Sequence, residues 1–155
     1  MRGLVLSCCA VVLAGCAKPE QKTSADSAAA TLAAGALAPI SLSDIAGTWA
    51  VKATALSGAG TVVDFQMITT AEASGWSINF PGRQPVPVRV VAVDADSVVS
   101  EAGPYESVLR KGVQVTTTTV TRYQNGMLVG TTTARYSTGP DSVLHLRFEG
   151  SRVIN

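Results

Sequence analysis

The chain contains three cysteines, Cys8, Cys9 and Cys16, and one histidine, His145, and these side chains could carry nucleophilic or metal chemistry. A catalytic histidine needs a nucleophile and an orienting acid beside it, and no motif in the sequence supplies that combination. One histidine among scattered carboxylates is a poor donor set for a transition metal. Neither a phosphate-binding loop nor a dinucleotide fingerprint is present. We therefore expect no enzyme activity, no metal and no cofactor.

Two of the cysteines lie in an apolar stretch, Leu4–Leu13, which follows Arg2 near the beginning of the chain. This stretch is shorter than the roughly 20 apolar residues that a membrane-spanning helix needs. Its length and its position after a basic residue are typical of the apolar centre of a secretory signal peptide.

The third cysteine completes the tetrapeptide Leu13-Ala14-Gly15-Cys16, which resembles the lipobox of bacterial lipoproteins. The resemblance implies that residues 1–15 are removed with Cys8 and Cys9, and that Cys16 is the lipid attachment site. Inner-membrane lipoproteins often carry Asp at the next position, where this chain has Ala17. The resemblance therefore implies an envelope protein, lipid-anchored in the outer membrane and facing the periplasm. The alternative is an ordinary cleaved signal peptide with a chance cysteine.

Residues 16–40 lack aromatic side chains, are rich in Ala, Ser, Thr and Lys, and contain Pro19 and Pro39. This composition predicts a flexible tether between the lipid and the following domain. The alternative is a short helix within 28–38 that docks on the domain, because alanine has the best helix propensity.

Residues 41–155 are rich in Val and Thr, and turn signals interrupt them at short intervals. β-Branched residues favour strands, and Asn125-Gly126 between two such runs is a strong hairpin signal. The predicted strands are 46–55, 61–71, 75–80, 86–94, 97–109, 113–123, 126–137 and 142–154. The fifth should kink at Gly103-Pro104, because proline cannot donate to a strand ladder. No segment in this region is long and periodic enough to predict a helix.

The last predicted strand alternates between apolar and polar residues, which is typical of an antiparallel sheet with one buried face. Leu144, Leu146 and Phe148 fall on the face predicted to be buried; His145, Arg147 and Glu149 fall on the other. Short connections favour pairing of consecutive strands, so we predict an all-β, antiparallel, eight-stranded up-and-down barrel. A Greek-key β-sandwich is the alternative. The net charge of +1 gives no reason to expect nucleic acid as a partner.

Gly47-Thr48-Trp49, at the start of the first strand, resembles the Gly-x-Trp signature of lipocalins. In that family the tryptophan closes one end of the barrel, and an arginine near the end of the last strand packs across it. Arg152 shares the alternation parity of Leu146 and Phe148, so it is the residue that matches that arginine. The resemblance implies a lipocalin-like (calycin-type) barrel in which Gly47, Trp49 and Arg152 have a structural role.

An eight-stranded barrel is just wide enough to be filled by side chains or to hold one small ligand. We therefore keep two hypotheses. In the first, the barrel binds a small apolar or amphipathic molecule, and its lining besides Trp49 includes Phe65, Trp76, Phe80, Leu146 and Phe148. In the second, a filled barrel acts through its surface as a protein-interaction, inhibitor-like or envelope-structural module. The expected partners are thus the membrane, through the lipid anchor, and either a small apolar ligand or an envelope protein.

Two further stretches bear on the choice between these hypotheses. Tyr105, Glu106 and Arg110 place charge and an aromatic ring near the predicted kink, and we interpret them as a rim or contact surface or as solvated charges on a kinked strand. The threonine runs 116–119 and 131–133 lie on neighbouring strands. Cross-strand threonine pairs stabilise sheets, and inward-facing threonines would line a polar pocket.

Overall fold

The structure, a computed structural model, describes residues 39–57, 60, 62–139 and 142–154. The predicted signal peptide, the lipobox with Cys16 and most of the predicted tether lie outside the described residues. Ile40, at the end of the predicted tether, donates its backbone N–H to the carbonyl of Ala95 over 2.8 Å and packs against the core. Within the described residues, no helix is both long enough and apolar enough to cross a membrane.

A single helical turn, α1 (Leu42–Ile45), precedes the first strand. Ser41 caps it: the Ser41 hydroxyl accepts from the Ser43 N–H, and the Asp44 carboxylate accepts from the Ser41 N–H, each over 3.3 Å. Such a reciprocal capping box satisfies backbone donors that a helix start leaves unpaired. The prediction of no helix was wrong here, because one turn is too short to produce a helical periodicity.

Eight strands follow, and they confirm the predicted barrel. They are β1 (Gly47–Ala55), β2 (Val62–Thr69), β3 (Trp76–Asn79), β4 (Val86–Val93), β5 (Val98–Glu106), β6 (Gln114–Gln124), β7 (Met127–Tyr136) and β8 (Val143–Arg152). Each strand pairs antiparallel with the next, and β8 pairs with β1, so the sheet closes. Closure excludes the Greek-key sandwich.

The connections between strands explain two local predictions. Asn125 and Gly126 form the two-residue β6–β7 turn with φ angles of 53° and 80°, which is the conformation that favours Asn-Gly in a tight hairpin. β5 is irregular where the sequence predicted a kink, since its register with β6 shifts between Ala102 and Tyr105. β5 ends at Glu106 rather than at residue 109.

The alternation predicted for β8 is confirmed. Leu146 and Phe148 are buried, Leu144 is half-buried, and His145, Arg147 and Glu149 are exposed. Phe148 lies opposite Gly130 of β7. A Cβ at Gly130 would lie 2.0 Å from the Val120 carbonyl oxygen and 2.8 Å from Cε1 of Phe148, so only glycine leaves room for that ring.

The wall of the barrel is uneven. β6 and β7 are joined by ten residue pairs, from Val115 to Gln124 on β6, whereas β3 makes three pairs with β2 and three with β4. We call the end that carries α1 and the β2–β3, β4–β5 and β6–β7 connections the closed end. The opposite end, with the other four connections, is the open end.

Candidate functional site at the open end of the barrel

The closed end is sealed by the residues that the lipocalin resemblance singles out. Trp49 is fully buried, and its indole N–H donates to the Ile45 carbonyl over 2.9 Å. The guanidinium of Arg152 lies 4.3 Å from the centre of the Trp49 ring, which is a cation–π geometry. The same guanidinium donates to the Asp44 carbonyl over 2.7 Å and to the Ala46 carbonyl.

Glycine is required beside this arginine. Gly47 has a φ of 146°, and a Cβ there would lie 2.5 Å from Nη1 of Arg152. The structure therefore brings Gly47, Trp49 and Arg152 into one close-packed cluster. The ring of Tyr123 packs edge-on against Trp49 at a centroid distance of 6.1 Å. Sequence analysis did not predict this contact, because β6 and β1 are not neighbours in the sheet and their side chains meet only inside the closed barrel.

Trp76, which was predicted to line a ligand site, belongs to the closed end. It begins β3 and is buried, and its indole N–H points to the carbonyls of Thr70 and Glu72 at 3.2 and 3.0 Å. It is not among the residues that line the interior cavity described next. The tight β2–β3 connection holds its indole at the opposite end of the barrel.

An interior cavity of about 70 Å³ lies in the open half of the barrel. The predicted residues Phe65, Phe80, Leu146 and Phe148 all contribute to its lining. The rings of Phe65 and Phe80 are 5.5 Å apart, and those of Phe80 and Tyr105 are 5.8 Å apart, so aromatic side chains fill much of this space. Ligand pockets of drug-sized molecules usually measure roughly 300–1,000 Å³, so the cavity is small.

One wall of the cavity carries hydroxyl groups. Thr117 and Thr119 of β6 point inward and are buried, whereas Thr116 is exposed. Thr119 and Thr132 lie opposite each other on β6 and β7, and their hydroxyl oxygens are 3.0 Å apart. The threonine runs therefore do both things considered from sequence: they pair across strands and they line a cavity.

Tyr105 adds a phenol to the same site. Burial raises the pKa of Tyr105 above its ordinary value, and a hydrogen bond with the Thr117 side chain opposes that rise. The phenol is therefore neutral over the physiological pH range and can serve as a hydrogen-bond donor or acceptor.

Residues 107–113, which we call the lid loop, cover the cavity. Val108 and Leu109 both line it, and the Leu109 side chain is partly exposed. The buried Ser107 shapes the loop: its hydroxyl accepts from the N–H groups of Leu109 and Arg110 over 3.0 and 3.1 Å. Its own N–H donates to the Val113 carbonyl over 2.8 Å.

Side chains hold the lid loop to both of its neighbours. Arg83, in the β3–β4 connection, donates to the carbonyls of Glu106 and Ser107 over 2.7 and 3.3 Å. On the other side, the guanidinium of Arg110 lies 4.0 Å from the centre of the buried Tyr136 ring. Sequence analysis missed Arg83 and Tyr136, because only the barrel topology places their elements beside the loop.

The predicted rim residues Tyr105, Glu106 and Arg110 thus meet around the lid loop. Tyr105 reaches the cavity, and Arg110 stacks on Tyr136. The Glu106 carboxylate accepts from the Gly112 N–H over 3.0 Å, so it links the end of β5 to the far side of the lid loop.

His145 stands apart from this site. It is exposed on the outer face of β8, and its Nδ1 lies 3.2 Å from the Thr133 hydroxyl oxygen. The described part of the chain contains no group of three or more His, Cys, Asp or Glu side chains that could hold a metal ion.

Comparison with protein-family models, with curated proteins and with solved structures gives no match to this chain. The fold itself defines the class, an eight-stranded, all-antiparallel up-and-down β-barrel of the lipocalin-like type.

Proposed function

We propose that this chain is a lipid-anchored envelope protein whose barrel binds the apolar part of a small amphipathic molecule at its open end. The observation that carries the proposal is the hydroxyl-bearing wall of the cavity. Apolar side chains such as Phe65 and Phe148 face it across the interior. A cavity that is mostly apolar with a few convergent polar groups is the usual composition of a small-molecule site.

The hydroxyl groups of the threonine wall are buried and hydrogen-bonded within the protein. Thr117 and Thr119 are each 7% exposed; the Thr119 hydroxyl pairs with that of Thr132, and the Thr117 side chain pairs with Tyr105. This pairing offsets the cost of burying a hydroxyl, and it holds polar groups at fixed positions along the cavity. Hydroxyl groups in the interior of the barrel are useful to a protein that orients a ligand.

The small cavity implies that binding displaces the lid loop. Leu109 is 38% exposed, and Arg83, which holds the loop, acts through contacts at the surface. Hydrogen bonds of this kind contribute only about 0.5–1.5 kcal/mol each. Movement of Val108 and Leu109 away from the interior would break these contacts, expose Val108, which packs against the core, and enlarge the cavity.

The anchor is proposed on the lipobox resemblance of residues 13–16. Lipidation of Cys16 would hold the barrel beside a membrane, where apolar and amphipathic molecules are concentrated. Acyl chains attached together bind a bilayer much more strongly than one. Location at the outer membrane, facing the periplasm, follows from the same resemblance and from Ala17.

The second candidate is a filled barrel that acts through its surface as a protein-interaction, inhibitor-like or envelope-structural module. It is favoured by the cavity volume of about 70 Å³. If the lid loop does not move, this space admits only a few atoms.

An uncharged fluorescent probe, N-phenyl-1-naphthylamine, separates the two candidates. We would titrate it into the full chain carrying Cys16→Ser, which has no acyl chains of its own to compete. The ligand-binding proposal expects saturable binding of one probe per chain. Leu109→Ala should accelerate association several-fold, because it removes an apolar side chain from the lid loop.

Val91→Ala is the matched control, since Val91 is 47% exposed on β4 and does not line the cavity. It should leave the association rate unchanged. Absence of saturable binding in a chain that retains its β-sheet circular dichroism would contradict ligand binding and favour the surface-acting candidate.

A further inference from the structure

The two ends of the barrel carry opposite charge. At the open end, the connections and adjoining strand ends contain four cations and one anion: Arg83, Arg110, Lys111, Arg135 and Glu106. At the closed end the balance is reversed, with Asp44, Glu72, Asp94 and Asp96 against Arg122 and Arg152. Asp141, in the β7–β8 connection, lies outside the described residues and would reduce the excess at the open end without reversing it.

The asymmetry does not depend on Arg110, because Arg83, Lys111 and Arg135 alone outnumber Glu106 at the open end. The two ion pairs among the described residues are Arg122–Asp96, which lies at the closed end, and Arg89–Glu101, which joins β4 to β5. Arg83 donates to backbone carbonyls, which carry no formal charge. Lys111 and Arg135 are exposed.

The cations surround an apolar opening. Leu109 of the lid loop is partly exposed, and Leu56, Val62 and Val143 are exposed where β1, β2 and β8 reach the same end. Just inside them are the aromatic lining and the cavity. An apolar opening ringed by cations is complementary to a molecule with an apolar body and an anionic head.

We propose, on the basis of the proposed function, that the ligand is an anionic amphiphile. Its apolar chain enters the cavity beneath the lid loop, and its carboxylate, sulfate or phosphate head remains at the rim beside Lys111 and Arg135. A positive field at the opening attracts anionic ligands and repels cationic ones during encounter. The head keeps most of its hydration there, so no charge has to be buried in the barrel.

The proposal predicts selectivity by head group at constant chain length. Decanoate, decanol and decylammonium share a ten-carbon chain and differ in charge, and each can displace N-phenyl-1-naphthylamine from the full chain carrying Cys16→Ser. We expect decanoate to bind about tenfold more tightly than decylammonium at low salt, with decanol between them. The difference should shrink in 1 M salt, where the screening length falls to about 3 Å.

Two double variants test whether Lys111 and Arg135 cause the selectivity between head groups. Lys111→Gln with Arg135→Gln should lower the affinity for decanoate about fivefold and leave that for decanol within about twofold. The matched control, Lys52→Gln with Arg147→Gln, removes two exposed cations from the outer wall of the barrel, where they lie opposite Glu149 and Thr54. It should change neither affinity.

The outcomes separate the two proposals. Equal affinity for decanoate and decanol would overturn the anionic head group and leave ligand binding intact. If neither the probe nor any of the three compounds binds, both the ligand-binding proposal and the anionic head group are overturned. The same chain is also mixed with phosphatidylglycerol vesicles and sedimented. If the chain binds the vesicles but not monomeric decanoate, the cations of the rim contact a membrane surface rather than the head group of one ligand, and the proposal is overturned.

Discussion

At the closed end a fully buried indole, its arginine and a capped helical turn seal the barrel, whereas at the open end a seven-residue loop covers an apolar cavity through surface contacts. The closed end depends on burial and close packing, which are worth several kcal/mol for a large side chain. The open end depends on hydrogen bonds and a cation–π contact that are each worth about 0.5–1.5 kcal/mol. The closed end is therefore held mainly by burial, whereas the opening that we propose for the other end would break mainly individual hydrogen bonds and one cation–π contact.

The largest expected effect is at Trp49. Trp49→Ala should lower the free energy of unfolding by about 3–5 kcal/mol, because it leaves a cavity where the indole is fully buried. Urea denaturation followed by circular dichroism measures the loss. Trp49→Phe, which keeps an aromatic ring, should cost less. A loss below about 1 kcal/mol for the alanine variant would contradict the role of Trp49 as the closing residue.

Gly47→Ala comes next. The new Cβ would lie 2.5 Å from Nη1 of Arg152 in a backbone conformation that disfavours side chains, and we expect a loss of about 1–3 kcal/mol. The clash and the backbone strain can be separated with Arg152→Ala. If the clash contributes, Gly47→Ala will cost less in the Arg152→Ala background, and strictly additive losses would leave strain as the whole cause.

At the open end, Arg83→Ala should reduce global stability by less than about 1 kcal/mol. Its effect should instead be local, because Arg83 donates to the carbonyl of Glu106, where β5 ends, and to that of Ser107, where the lid loop begins. We expect faster hydrogen exchange of the Leu109 and Arg110 amides, which bond to the Ser107 hydroxyl. Exchange in β6 should be unchanged. Unchanged exchange in the loop would show that Arg83 does not hold it.

The smallest effect concerns pH. Burial raises the pKa of Tyr105 in the folded state above its ordinary value of 10.0. Folding favours the neutral phenol over the phenolate. The contribution of Tyr105 to the free energy of unfolding is therefore complete below pH 10, and it is lost as the pH rises from 10 through the pKa of the folded state. Stability should therefore fall more steeply above pH 10 in the parent chain than in Tyr105→Phe. Parallel declines in urea denaturation would contradict the raised pKa.

Much of the closed end could be predicted from sequence, since its residues follow simple rules. The period-two alternation of β8 put Arg152 on the same face as Leu146 and Phe148, and the structure places it on Trp49. Asn125-Gly126 located the β6–β7 hairpin. These features depend on one strand or one turn, for which neighbouring residues determine the outcome.

The open end was predicted only in part. Phe65, Phe80, Leu146 and Phe148 were expected inside the barrel and line the cavity. Trp76 and Arg83 could not be placed from sequence, because the short β3 and its connections decide which end each one reaches. The size of the cavity was equally inaccessible, since it depends on how the aromatic rings and the lid loop pack together.

Gly130 restricts the register in which β7 can pair with β8. The position opposite Phe148 tolerates no side chain. A shift of β7 by two residues keeps its inner face inside but brings Leu128 or Thr132 against that ring, and a shift by one turns Val129 or Thr131 inward. Every nearby misalignment of β7 on β8 is thus sterically penalised. Gly130 and Phe148 together select the native register of β7 on β8.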